Sequence, residues 1–443
     1  MRKLNSEIVN EVGGEVIIKG WINARRNMGK IVFLDMRDRS AILQVVCVPN
    51  ELNPESQDVL ASLRSEFCLE IKGVVQKRGA KQINPDMVTG EVELLAKEIK
   101  VLSTAETLPY DLEADLNMET YLNLLPFNLR APRQRAIFKI QSALIEGYRQ
   151  FLLQNGFTEF QCPKLVGGAT EGGANVFHVD YFGKKAFLAQ SPQFYKQMMV
   201  GVFERVFTTG NVYRAEEHDT NRHINEYTSL DFEMGFIRDY TEVAEMVYGV
   251  IRAMIEKVKE WCPQEIKLLG VVLPEMPEAA HMMKLKEAQK ILEDEFGEKG
   301  ATKEPDFEPH QEKMVGEYAK KNFNSDFVFI THYPTKKRPM YTMPDPENPE
   351  FTLSFDLLFR GTEIVTGGQR IHDYEMLRNN MIKFGLQPEQ FEYYLSAFKY
   401  GMPPEGGMAV GLERMTWQLL QLDNIKKATL FPRDKSRIDE MLK

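Results

Sequence analysis

Residues 205–236 read RVFTTGNVYRAEEHDTNRHINEYTSLDFEMGF. The stretch predicts two strands joined by a charged loop. In its second half Ile224, Glu226, Thr228, Leu230, Phe232, Met234 and Phe236 alternate with Asn225, Tyr227, Ser229, Asp231 and Glu233. A strand sends successive side chains to opposite faces, so these are two sides of one strand. The first side is apolar after its opening residues and belongs to a core. The second sets an aromatic ring, a hydroxyl and two carboxylates in a row. A solvated hairpin with a polar face would read the same way. The other reading is a sheet floor offering a flat ring and fixed carboxylates. Above it, a loop carrying Arg214, Glu216, Glu217, His218, Asp219, Arg222 and His223 can grip a polyanion.

The rest of the chain sets limits on that hairpin. Its 443 residues suffice for two or three domains and a large core. A net charge of −9 excludes a generally basic nucleic-acid coat. Any RNA contact must come from local basic patches on an acidic body. Cys47, Cys68, Cys162 and Cys262 form no CxxC pair, which argues against zinc and a disulfide framework and suits a reducing cytosol. The N-terminus lacks an apolar signal core, and no run approaches the ~20 apolar residues of a membrane helix. A cytoplasmic protein with no membrane partner is expected.

Upstream, residues 1–104 carry five short alternating runs, EVIIKGWINA, KIVFLDMRD, AILQVVCV, CLEIKGVVQK and VELLAKEIKVL, with one helical stretch, SQDVLASLRS. That pattern predicts a five-stranded OB-fold barrel. Within it Arg25, Arg26 and Lys30 stand near Phe33, with Gln44 on the next strand. Cations, a ring and an amide suit unstacked RNA bases; a core Phe33 beside solvated arginines is the plainer alternative. Residues 105–131 are acidic and broken by prolines, the composition of a hinge. Pro132 then opens a helix with Ile137, Ile140, Leu144, Tyr148 and Leu152 at helical spacing, ended by Gly156. The strand FTEFQCPKLV that follows is interrupted by Pro163.

Around the hairpin, AFLAQSPQFYKQ places Gln190, Ser191, Gln193 and Lys196 about a turn at Pro192, emerging from an apolar strand like a pocket wall. Residues 240–325 read as helical, solvent-facing scaffold without a catalytic constellation. Strands return in DFVFITHYP and FTLSFDLLFRGTEIVTGGQRI, where Asp356, Glu363 and Arg370 stand among apolar neighbours. Buried charges are paired or metal-bound. Asp356 and Glu363 can hold Mg²⁺, or an acid–arginine pair can tie the strands together. Last, MPPEGGMAVGLERMTWQLL runs from a loop through a strand into a helix with Leu412, Met415, Leu419 and Leu422 on its buried face. Arg414 sits in its first turn, against the helix dipole.

Together these segments resemble the class II aminoacyl-tRNA synthetases of the aspartate, asparagine and lysine subgroup, most closely the compact archaeal-like aspartyl branch. The helix ending at Gly156 and the strand with Pro163 resemble the first motif, which builds a homodimer. YRAEEHDTNRHINEYTSLDFE resembles the second and GMAVGLERM the third. The fold class this implies is α+β: an OB-fold anticodon-binding barrel (1–104), a hinge (105–131) and an antiparallel-sheet catalytic domain flanked by helices (132–443).

The resemblance also implies roles. Arg214, Arg414 and Glu363 would be catalytic. ATP would be held by these three with Glu216, Arg222, His223 and Tyr227, the ring taking a place where the family more often has Phe. Asp356 and Glu363 would hold Mg²⁺. L-aspartate would meet Glu171, Ser191, Gln193, Lys196, Asp231, Thr366 and Arg370, with Lys196 and Arg370 clamping its side-chain carboxylate. Arg26, Phe33 and Gln44 would read the anticodon of tRNA(Asp), and charging of tRNA(Asn) is left open. Glu405 and Met408 depart from the family's usual third-motif loop, which has His or Ala and Phe. The alternatives are an asparaginyl-tRNA synthetase and a catalytically silent tRNA-binding paralogue.

Overall fold

The computed structural model describes residues 1–112, 114–168, 175–217 and 220–438. It divides into two units, 1–114 and 115–443. In the first, β1 (Glu15–Asn27), β2 (Val32–Arg37), β3 (Ile42–Cys47), β4 (Cys68–Lys77) and β5 (Val92–Ser103) close a barrel in the order β1-β2-β3-β5-β4. Helix α1 (Pro54–Leu60) lies between β3 and β4 in sequence, capped by Asn53. The inward residues of each strand, among them Ile18, Leu34, Val45, Ile71 and Leu94, are fully buried, so alternation and closure agree. The expected strands and helix all form.

The boundary between the units falls inside the stretch expected as a hinge. Residues from 118 onward are already folded: α2 (Met118–Asn123) and α3 (Leu125–Asn128) pack around Tyr121, Leu122 and Leu125.

In the second unit, α4 (Pro132–Gln154) leads to β6 (Thr158–Glu159) and the small sheet β7 (Leu165–Val166), β8 (His178–Tyr181) and β9 (Lys184–Leu188). Then come α5 (Gln193–Phe203), β10 (Arg205–Tyr213), β11 (Glu226–Gly235), α6 (Tyr240–Trp261) and α7 (Pro263–Leu269). Next are β12 (Met282–Lys284), α8 (Leu285–Phe296), α9 (Pro309–Phe323), β13 (Phe327–Thr331), β14 (Ser354–Phe359) and β15 (Thr362–Gln369). Helices α10 (Tyr374–Lys383) and α11 (Glu392–Lys399), strand β16 (Glu405–Gly411) and α12 (Leu412–Leu420) complete the order.

Eight strands form one sheet, β12-β13-β14-β15-β16-β11-β10-β6. Its six central strands are antiparallel, and only the edge pairs β12/β13 and β6/β10 are parallel. Leu230, Phe232 and Met234 leave one face of β11 and join α4 and α6 in the main core with Tyr148, Val247 and Met254. Helix α4 lies close on α6: a Cβ added to Gly147 would come within 2.7 Å of the Ala253 carbonyl oxygen. The opposite face of the sheet is left for a site.

Three expectations are corrected. Phe236 is not a core residue: it follows the end of β11 at φ 57° and is 67% exposed. Helix α12 ends at Leu420, so Leu422 is not on its buried face; its carbonyl accepts from Trp417 Nε1 at 2.6 Å. The turn at Pro192 opens a helix, α5. No helix among the described residues is long and apolar enough to cross a membrane.

Candidate active site

The site grows from rows of side chains across the sheet. Asp231, Ala409, Thr366 and Asp356 stand side by side on β11, β16, β15 and β14. Glu233, Gly407, Gly368 and Ser354 form the next row. Small residues on β16 lower the floor between the flanking strands. A bulge on β15, where Leu357 faces Val365 but Leu358 faces Glu363, inserts one extra residue. Strict alternation would put Glu363 on the core side with Val365; the bulge turns it to the site.

Two cavities share this floor. The deeper one is lined by Gln190, Ser191, Gln193, Lys196, Arg338 and Arg370. The outer one is lined by Glu216, Arg222, His223 and Arg414. Arg214, Tyr227, Ser229, Glu363, Thr366 and Ala409 border both.

The charges under the deeper cavity are tightly paired. Lys196 is fully buried on α5, with its Nζ 3.0 Å from Asp231, 3.1 Å from Glu233 and 2.9 Å from the Met408 carbonyl oxygen. Arg370 donates from Nε to Glu233 at 2.7 Å and from Nη2 to the Gly407 carbonyl at 3.0 Å. Burial works against the Glu233 carboxylate, but Arg370 and Lys196 outweigh it and hold its pKa below the ordinary value. Asp231 is fully buried beneath the cavity and accepts from the Ser229 hydroxyl.

Toward the outer cavity, the Arg214 guanidinium lies 5.6 Å from the centre of the Tyr227 ring. Arg414 donates to the Glu363 carbonyl at 3.0 Å and lies 3.6 Å from its carboxylate. Burial and the nearby Asp356 raise the Glu363 pKa, and Arg414, Arg338 and Arg214 pull it back. Arg338 joins Asp356 at 2.6 Å and the Thr366 hydroxyl at 3.0 Å, its guanidinium 3.9 Å from the Tyr333 ring centre. Arg222 reaches across to Glu312 on α9 at 3.2 Å. Burial, with the charge of Glu363, pushes Glu312 up to about 7. The arrangement offers several fixed cations and a flat ring beside a pocket with two buried cations.

Residues 117–435 match the family model for tRNA synthetases class II (D, K and N). The chain belongs to the class II aminoacyl-tRNA synthetases. Residues 16–102 match the OB-fold nucleic acid binding domain model. An aspartate–tRNA(Asp/Asn) ligase of Thermus thermophilus is 43% identical, over 99% of this chain and 100% of that protein. An aspartate–tRNA(Asp) ligase of Thermococcus kodakarensis is 39% identical over 98% of each. Among solved structures, the asparaginyl-tRNA synthetase of Pyrococcus horikoshii complexed with asparaginyl-adenylate superposes with a TM-score of 0.86 at 28% identity, covering 97% of each chain.

The synthetase's barrel carries the second set of expected residues. Arg26 pairs with Phe33 in register, and Asp35 pairs with Gln44. Phe33 is half-buried and is not among the barrel's core residues. Arg26 donates to both oxygens of Asp35, at 2.8 and 2.9 Å, and to Gln44 at 3.1 Å; Gln44 in turn donates to Glu93 at 2.8 Å. Ring, amide and guanidinium thus share one outer face.

Of the other expected residues, Arg214, Glu216, Arg222, His223, Tyr227, Glu363, Arg414, Ser191, Gln193, Lys196, Thr366 and Arg370 all line the two cavities. Asp231 and Asp356 lie beneath or beside the floor, and Glu171 lies outside the described residues. Some residues at the site were not anticipated, among them Arg338 in the deeper cavity and Glu312 beside the outer one. Arg338 lies in a KKR run between strands that the sequence does not tie to a site, and Glu312 lies on a helix that reads as scaffold; neither carries a local signal.

Proposed function

We infer that this synthetase is an aspartate–tRNA ligase that activates L-aspartate with ATP and transfers it to tRNA(Asp). The observation that carries the reading is the shared floor: buried Lys196 and Arg370 lie under one cavity, and Arg214, Tyr227 and Glu363 lead from it into the next. The names of the relatives support aspartate as the substrate. Arg370, which faces the cavity beside Lys196, suits a carboxylate side chain better than an amide.

In the mechanism the aspartate α-carboxylate attacks the α-phosphorus of ATP, giving aspartyl-adenylate and pyrophosphate. The terminal ribose hydroxyl of tRNA then attacks the adenylate carbonyl. No side chain acts as nucleophile. Arg214 neutralises charge at the attacked phosphorus, while Tyr227 and Arg414 hold the adenine and Glu216 contacts its edge. Arg222 and His223 meet the outer phosphates, which requires Arg222 to exchange Glu312 for phosphate. Lys196 already has three close acceptors, so it acts as a fixed charge beneath the pocket and Arg370 is the direct partner of the substrate side chain. Ser191, Gln193 and Thr366 line its walls. Asp231, reaching the cavity through Ser229, favours the substrate ammonium, and Glu171 is assigned the same task.

Asp356 and Glu363 suit Mg²⁺. Asp356 Oδ1 is buried without a hydrogen-bond donor, and burial, then the charge of Asp356, raises the Glu363 pKa. Mg²⁺ needs only one or two carboxylates when phosphates complete its shell. Bound there, it would neutralise phosphate charge. The reading further includes a cytoplasmic homodimer built on α4 and the following strand, a hinge over 105–131, and anticodon contacts from Arg26, Phe33 and Gln44.

The test is amino-acid-dependent pyrophosphate exchange. Aspartate supports exchange and asparagine does not; the reverse result overturns the reading. Aspartylation of purified tRNA(Asp) and tRNA(Asn) side by side then decides whether one or both are substrates.

A further inference from the structure

We propose that Glu405 is a positioning residue of the amino-acid pocket, a neutral carboxyl that donates a hydrogen bond to Glu233 and fixes it toward Arg370 and Lys196. The proposal rests on the pocket assignment given above. Glu405 opens β16, is fully buried, and stands opposite Gly235 of β11, two residues from Glu233, so both side chains leave the same face. Glu233 Oε2 and Glu405 Oε2 are both buried and accept no hydrogen bond among the described residues. Ionised carboxylates only accept, so a bond between the two would require a proton on one of them.

The surroundings say which group carries it. Arg370 and Lys196 lie 2.7 and 3.1 Å from oxygens of Glu233. Glu405 Oε1 accepts from Gln197 Nε2 at 2.7 Å, and Gln197 is itself oriented by the Tyr394 hydroxyl, which donates to its Oε1 at 3.0 Å. Glu405 Oε2 meets no donor among the described residues. The negative charge therefore belongs on Glu233 and the proton on Glu405 Oε2. Burial, then the charge of Glu233, pushes Glu405 well above the ordinary carboxylate range.

Charge balance gives the device a purpose. Lys196 and Arg370 are matched by Asp231 and Glu233. An ionised Glu405 would make the pocket negative before a dicarboxylic substrate entered, and buried like charges repel strongly. The groups facing Glu405 are Glu233 of β11, Arg370 just after β15, Gln197 of α5 and Tyr394 of α11. Backbone contact strengthens the link, since the Arg370 N–H donates to the Glu405 carbonyl at 2.9 Å.

The experiment compares the full chain with Glu405→Gln and Glu405→Leu. Gln keeps a neutral donor, so the KM for aspartate in pyrophosphate exchange should stay within about twofold. Leu removes a donor to a charged acceptor and should raise KM ~tenfold, with kcat changed less. The infrared difference spectrum between the unmodified chain and Glu405→Gln at neutral pH should show one protonated-carboxyl band that the variant lacks. A missing band, or a Gln variant as impaired as the Leu variant, overturns the proposal. Should Glu405→Leu fail to fold, the Gln variant and the band decide alone. If wild-type exchange answered to asparagine while the band persisted, the substrate reading would fail and the protonated Glu405 would stand.

Discussion

Lys196 has its ammonium within 3.1 Å of Asp231 and Glu233 with no part of the residue in solvent. Lys196→Met strands two buried carboxylates with only Arg370 to answer them. Breaking a buried pair from one side costs ~3–5 kcal/mol, so we expect a loss of that size in urea unfolding together with loss of aspartate activation. Arg214 is half-buried over the Tyr227 ring. Arg214→Ala should lower pyrophosphate exchange by ~10²- to 10³-fold, as for other groups that stabilise developing charge, and leave the unfolding midpoint nearly unchanged; normal exchange would remove the assignment. Glu413 is almost fully buried, both its oxygens 3.0 to 3.1 Å from the Thr228 N–H, and burial pushes it up from 4.5 to about 7. Between those values the native state keeps a proton that the unfolded chain has lost. Stability therefore falls as pH rises through this window, by up to ~1.4 kcal/mol per unit. Glu413→Gln cannot titrate and should flatten that part of the curve in unfolding experiments run across pH.

Elements carry a different kind of constraint. At Gly147 of α4 an added Cβ would meet the Ala253 carbonyl oxygen and Met254 Cα at 2.7 Å, both backbone atoms of α6 that cannot step aside. Gly147→Val should push the helices apart and cost ~1–3 kcal/mol despite its better helix propensity, measurable as a lower unfolding midpoint. Helices α4 and α5 were legible in sequence in different degrees. Helix α4 announces itself because Pro132 opens it and its apolar spacing is regular. Helix α5 does not, because Lys196 and Gln197 face inward and break the apolar period that would mark its buried side. Strand β11 was readable because its two faces differ so sharply in chemistry. Its end was not: alternation carried on past Gly235 assigns Phe236 to the core, where the chain in fact turns at positive φ. The β15 bulge is also silent, since it is set by pairing with β14. Most cavity residues follow from the resemblance of their motifs to the synthetases, since many sit on loops or helices rather than on the strands. Glu312 and Arg338 do not, because only tertiary packing brings them to the floor.

On the scale of the whole molecule, each unit has a hydrophobic core of its own, so the proposed chemistry and the proposed tRNA reading should be separable by mutation. The net charge of −9 gives RNA no general attraction to the body. Recognition must then come from local features such as the Phe33 ring and the Arg26–Gln44 pair on the barrel's outer face. Phe33→Ala removes a stacking surface worth ~1–3 kcal/mol per base. The expected result is a ~10- to 100-fold rise in KM for tRNA in aspartylation with pyrophosphate exchange unchanged, because exchange needs no tRNA. Circular dichroism should show an intact barrel, since Phe33 lies outside the barrel core. A variant that loses exchange as well would mean that the ring supports the fold of the catalytic unit. One that keeps its KM for tRNA would mean that the bases are read on a different face of the barrel.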